Sequence, residues 1–138
     1  MDCIGDNDYN IFTRFEVKVS FDFDDTLDSV RIQRIARDCI KRGYDVSIVT
    51  ARPHETLVKF GGEDWNDDLY EVANDLGIDA NNIHFMNLKP KYKFFQENKF
   101  DWHLDDCVDE WKEINENTDT RCYKLYDEFD EFLLMLNK

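Results

Sequence analysis

"VSFDFDDTLDS", residues Val19–Ser29, places four aspartates within seven positions directly after an apolar run. Like charges this close repel, so the stretch implies positive partners elsewhere in the chain. The residues leading into it, Phe15 to Phe23 ("FEVKVSFDF"), alternate and are rich in β-formers, which predicts a strand. From Ser29 the period changes. Ile32, Ile35, Ala36, Cys39 and Ile40 recur at helical spacing, with Asp28 or Ser29 as the cap and Gly43 as the stop. Lys41 and Arg42 fall in the last turn, where they suit the helix dipole. The aspartates therefore sit at a strand-to-helix junction.

The same alternation continues outward. Asp45–Thr50 ("DVSIVT") reads as a second strand, and Leu69, Val72, Ala73 and Leu76 mark a helix that stops at Gly77. Ile83–Met86 is a short strand, and Lys91–Asn98 a short helix with Phe94 and Phe95 inward. Trp102–Leu104 is a fourth strand, followed by a helix on Val108, Trp111 and Ile114 or Asn115. Arg121–Tyr126 is a fifth strand, and Phe129, Phe132, Leu133 and Leu136 make a closing helix. This order predicts an α/β fold: a Rossmann-like three-layer sandwich with a five-stranded, mostly parallel sheet, as one domain over residues 1–138. In such sheets ligands bind at the carboxyl ends of the strands, near the point where strand order reverses.

Composition narrows the partners. The chain is 42% hydrophobic and 14% aromatic, as expected of a folded protein rather than a disordered one. Its net charge of −14 argues against an extended nucleic-acid interface, which needs clustered Lys and Arg, but not against a small phosphorylated ligand. Cys3, Cys39, Cys107 and Cys122 form no Cys-x-x-Cys pair and read as reduced thiols. No signal peptide or apolar stretch of membrane-spanning length is evident, so the expectation is a cytoplasmic, monomeric protein.

Residues two apart on a strand point to one side, so Asp22 and Asp24 should reach a common ligand. Helix capping accounts for Asp28 but not for Asp22, which follows apolar strand residues where an unpaired carboxylate is costly. A calcium loop fails, because Thr26, Leu27 and Gln33 stand where its ligands and glycine belong. A magnesium-dependent phosphoryl-transfer site needs further acids and cations at other strand ends. The chain has them: Thr50-Ala51-Arg52 after the second strand, Asp105-Asp106 after the fourth, and Lys91 opening the helix before it.

"DFDDTL", "VTAR" and "KYKFFQENKFDWHLDD", in this order, resemble the motifs of the haloacid dehalogenase superfamily of phosphatases. The resemblance spans Phe21 to Asp106, most of the chain. It implies that Asp22 is a nucleophile forming an aspartyl-phosphate, and that Asp24 is the acid and then the base. It further implies that Thr50 and the Ala51 N–H hold phosphoryl oxygens, and that Mg²⁺ is held by Asp22, the Asp24 carbonyl and Asp105, with or without Asp106. A lysine balances the charge. Lys91 follows Pro90, a favoured helix-start residue, and its separation from Asp105 matches related short members; Lys89 and Lys93 are the alternatives.

Arg52 reads equally as a phosphate or base contact and as a surface ion pair. His103 reads as a satisfied structural histidine, His54 has no evident role, and Asp109 is either a supporting acid or a helix-face residue. Neither connection beside the motifs has room for a cap domain, so the site should be open or rely on the loop Pro53–Asn66 as a lid. The loop Pro53–Asn66 carries Lys59, Phe60, Gly61, Gly62 and Trp65, whose aromatics either sandwich a nucleobase or pack the loop down. The expected function is phosphomonoester hydrolysis, on a nucleotide or a nucleic-acid terminal phosphate. The alternatives are a protein phosphatase and a phospho-ligand-binding module without turnover.

Overall fold

The computed structural model describes residues 16–57 and 64–138. Five strands, β1 (Lys18–Phe21), β2 (Asp45–Thr50), β3 (Ile83–Phe85), β4 (Trp102–Asp105) and β5 (Arg121–Lys124), form one sheet in the order β3-β2-β1-β4-β5. All four pairings are parallel, so the sheet is wholly rather than mostly parallel. Among the described residues five α-helices alternate with the strands: α1 (Val30–Lys41), α2 (Asp67–Leu76), α3 (Tyr92–Glu97), α4 (Val108–Asn117) and α5 (Phe129–Leu136).

Strand alternation divides the core in two. Val19, Phe21, Val46, Ile48, Trp102 and Leu104 point to the face covered by α1, α2 and α5, where they meet Ile32, Ala36, Leu69, Ala73 and Phe132. Trp102 stands edge-on to Phe21 at 5.4 Å and to Phe132 at 4.9 Å. On the other face Val49 and Cys122 pack with Phe95 of α3, Ile114 of α4 and Phe100. The result is a three-layer α/β sandwich. Among the described residues no helix is long and apolar enough to cross a membrane.

Local chemistry sets the element ends. Ser29, rather than Asp28, caps α1: its hydroxyl oxygen accepts the Ile32 N–H at 3.3 Å and donates to the Thr26 carbonyl. Gly77 ends α2 at φ 81°, a left-handed position that costs glycine least, and lets the Ile78 N–H reach back to the Ala73 carbonyl. The strand expected over Phe15–Phe23 is only Lys18–Phe21, and Phe15 lies outside the described residues.

The chain leaves β1 through Asp22 into a wide turn over Phe23–Leu27, with Leu27 N–H on the Asp22 carbonyl and Asp28 N–H on the Phe23 carbonyl. Asp25 takes φ 61° there, a conformation aspartate tolerates better than most residues. Strand order reverses between β1 and β4. From β1 the chain proceeds to β2 and β3 on one side, then crosses to β4 on the other. The crevice beyond these two strands is where open α/β sheets bind ligands. Asp22 follows the last residue of β1, and Asp105 is the last residue of β4.

Candidate active site at the strand-order reversal

Asp22, Asp105 and Lys91 meet in the interior at this crevice. The Lys91 ammonium donates to Asp22 Oδ1 at 2.8 Å and to Asp105 Oδ2 at 2.6 Å. Lys91 is only 1% exposed, Asp105 0% and Asp22 6%. Lys91 arrives there because it precedes α3, whose Phe95 anchors in the core, and because its backbone N–H is held by Glu110 of α4 at 3.1 Å. Lys89 and Lys93 are exposed.

Both oxygens of Asp105 take hydrogen bonds from protein groups. Its Oδ2 takes Lys91 and His103 Nε2, the latter at 2.8 Å, and its Oδ1 takes the Cys107 backbone N–H at 3.0 Å. Asp106 is half-buried, and among the described residues its Oδ1 accepts only a long contact from the Thr26 hydroxyl at 3.4 Å. One carboxylate oxygen each from Asp22, Asp105 and Asp106 lie within 4.8 Å of one another.

Electrostatics mark the deficit. Burial, with the Asp105 charge and the nearby Asp106, pushes the Asp22 carboxyl well above the usual carboxylate range, and Lys91 offsets this only in part. Burial also acts against ionised Asp105, but Lys91 and then His103 outweigh it and hold that carboxyl below the usual range. For Lys91, burial disfavours the charge, while the two aspartates more than restore it and raise its pKa. One ammonium, bonded to Asp22 and Asp105, thus stands beside three converging carboxylates. The donor set is all oxygen, which suits a hard divalent cation such as Mg²⁺.

Asp24 does not join this cluster through its carboxylate. Its exposed side chain forms a two-point pair with Arg52, Nη2 on Oδ1 at 2.8 Å and Nε on Oδ2 at 3.0 Å. The same guanidinium binds Asp68 at 2.8 and 2.9 Å, contacts Asn66, and lies over the Phe23 and Trp65 rings at 4.9 and 5.6 Å. Hydrogen bonds donated to Asp68 and Asp24 raise the Arg52 pKa, and Arg52 lowers that of Asp68. Arg52 is therefore ion-paired here.

Thr50 is fully buried at the end of β2, with its hydroxyl oxygen accepting the Arg52 N–H at 3.2 Å. Ala51 is exposed, and its carbonyl accepts the N–H of Leu88. Asn87 and Leu88, at φ 56° and 69°, fold the segment after β3 onto Ala51 and Arg52.

Of the remaining candidates, His54 belongs to this loop packing, with its backbone N–H on Asn87 Oδ1 and its ring against Phe85. Asp109 is exposed in the first turn of α4. Lys59, Phe60, Gly61 and Gly62 lie outside the described residues. Sequence reasoning missed Asp68 and Glu110, whose roles follow from distant elements meeting in space. It also passed over Ser20, although a serine within an apolar alternation was a visible signal.

Compared with known proteins, the chain matches no family model and no curated protein sequence.

Proposed function

We propose that the protein is a phosphomonoester hydrolase of the haloacid dehalogenase type, dependent on Mg²⁺ and acting through an aspartyl-phosphate. The observation that carries this reading is the buried Lys91 ammonium bridging Asp22 and Asp105 at the strand-order reversal, with Asp106 completing three convergent carboxylates. A purely structural ion pair needs neither the third carboxylate nor that location.

Asp22, Asp106 and Asp105 would hold the cation, with the Asp24 carbonyl as a further oxygen donor. When bound, Mg²⁺ supplies charge neutralisation between the nucleophile and a phosphate dianion. Lys91 holds Asp22 through one oxygen and orients the carboxylate. Asp22 attacks phosphorus, and the phosphorus–oxygen ester bond breaks. Asp24 gives the leaving oxygen its proton, then takes one from the water that attacks the aspartyl-phosphate, releasing inorganic phosphate and free Asp22. The Thr50 hydroxyl and Ala51 N–H steady phosphoryl oxygens.

Arg52 pairs with both oxygens of Asp24, the residue that the second half-reaction uses as its base. That pair also favours a second reading, a module that binds a phosphorylated ligand without turnover, because it occupies the acid that the first step needs. The substrate class that the motif resemblance supports is a nucleotide or terminal nucleic-acid phosphate. A phosphate-release screen over nucleotides, sugar phosphates, phosphopeptides and end-phosphorylated oligonucleotides, with Mg²⁺ or a chelator, separates the two readings. Mg²⁺-dependent release from at least one class is expected; tight binding with no release from any class rejects the hydrolase.

A further inference from the structure

Ser20 and His103 sit opposite one another in the register of β1 and β4, at the centre of the sheet, and both are 0% exposed. The pairs on either side are apolar, Val19 with Trp102 and Phe21 with Leu104. The His103 ring packs against Phe95 at 4.9 Å, so an apolar side chain could fill the same space. Buried hydroxyl and imidazole groups are costly unless hydrogen-bonded, and here each is. Ser20 Oγ lies 2.8 Å from His103 Nδ1, and His103 Nε2 lies 2.8 Å from Asp105 Oδ2.

The direction of this chain follows from its end. A carboxylate accepts only, so Nε2 carries the proton and donates to Asp105. In the neutral imidazole Nδ1 then has a free lone pair, which the Ser20 hydroxyl fills as donor. The hydroxyl thereby selects the tautomer, and the tautomer supplies the donor. Asp105 is consequently pinned at both oxygens, by His103 and Lys91 on Oδ2 and by the Cys107 N–H on Oδ1. Lys91, shared between Asp105 and Asp22, is placed by the same arrangement.

We propose that Ser20 and His103 are positioning residues: a buried hydroxyl–imidazole pair that fixes Asp105 and, through it, holds the Lys91 ammonium against Asp22. The role in turnover rests on the hydrolase reading above. The placement of Lys91 does not. Neither residue touches the reacting atoms, so their effect passes through the orientation of the groups that do. Outer partners of this kind change activity by about tenfold to a hundredfold.

The test uses the intact chain and three variants: Ser20→Ala, His103→Leu, and His103→Gln, whose amide can keep a donor near the Nε2 position. With Mg²⁺ and p-nitrophenyl phosphate, Ser20→Ala and His103→Leu should lose about tenfold or more in kcat, with KM within about twofold. His103→Gln should recover most of the loss at a thermal midpoint matched to His103→Leu. Wild-type kcat in both deficient variants, or a glutamine variant no better than leucine, overturns the proposal.

Nitrogen-15 NMR of the wild type should show His103 as the Nε2–H tautomer at neutral pH; the Nδ1–H tautomer overturns the proposal. If the wild type hydrolyses no phosphoester, the hydrolase reading falls and NMR alone decides the positioning role. The exchange-protected Lys91 ammonium signal should then persist in His103→Gln and vanish in His103→Leu. Its persistence unchanged in His103→Leu overturns the role. Should His103→Leu not fold, weakening of the same signal in Ser20→Ala supports the role, and an unchanged signal there overturns it.

Discussion

Lys91 is the cation on which the site's electrostatics turn, since among the described residues it alone donates to both Asp22 and Asp105 from within the core. Replacing it by methionine keeps the bulk but takes the ammonium from buried Asp22 and leaves Asp105 with only His103 and the Cys107 N–H, a loss of about 3–5 kcal/mol. Urea unfolding of Lys91→Met should show a drop of that order, with the proposed phosphatase activity abolished, whereas Lys89→Met and Lys93→Met, both at exposed positions, should unfold like the wild type. The sequence already favoured Lys91 through Pro90 and its separation from Asp105. What sets it apart from its neighbours is burial, and that depends on how α3 docks. The two adjacent acids also differ physically. Asp105 is held by Lys91, His103 and the Cys107 N–H, while Asp106 has, among the described residues, only the long Thr26 contact. Asp106→Asn should therefore weaken Mg²⁺ binding in calorimetry with little change in unfolding midpoint, and Asp105→Asn should lower both.

Elements were more legible than their ends. The switch from period two to period 3.6 at Ser29 located β1 and α1, and Gly43 and Gly77 both take the left-handed conformations of helix stops. The residues between Asp22 and Leu27 were harder. A wide turn with Asp25 at positive φ has no periodic signature, and hydrophobic Phe23 extends the apparent strand past its true end. The Arg52–Asp68 pair was illegible for another reason, because it joins the end of β2 to the start of α2 across a loop. At the edge of the sheet, β3 carries His84, whose ring meets Phe94 at 4.8 Å. Burial, and then the charge of Lys18, hold its imidazole below the ordinary pKa. A base depressed in this way binds protons more readily when unfolded. Its stabilising effect is complete above the unfolded value of about 6.5 and falls away as pH drops below it. The urea midpoint should accordingly decline more between pH ~7.5 and ~5.5 in the wild type than in His84→Phe; equal declines would remove His84 as the cause.

Across the molecule as a whole, a doubly wound parallel sheet brings the ends of β1, β2 and β4 to one edge, so residues far apart in sequence share a crevice. The alternation of strands and helices made that architecture readable, and the position of the acids within it followed. The three-carboxylate deficit could not be read in the same way, because it is a property of distances and burial. The proposed reaction stands on phosphorylation of Asp22 during turnover. Rapid acid quench of the protein reacting with a phosphomonoester and Mg²⁺, followed by borohydride reduction and peptide mass analysis, reads that step out. Homoserine in place of Asp22, formed only when both substrate and Mg²⁺ are present, is the expected product. Steady phosphate release with no modification of Asp22, or with the label on another residue, would contradict the covalent mechanism.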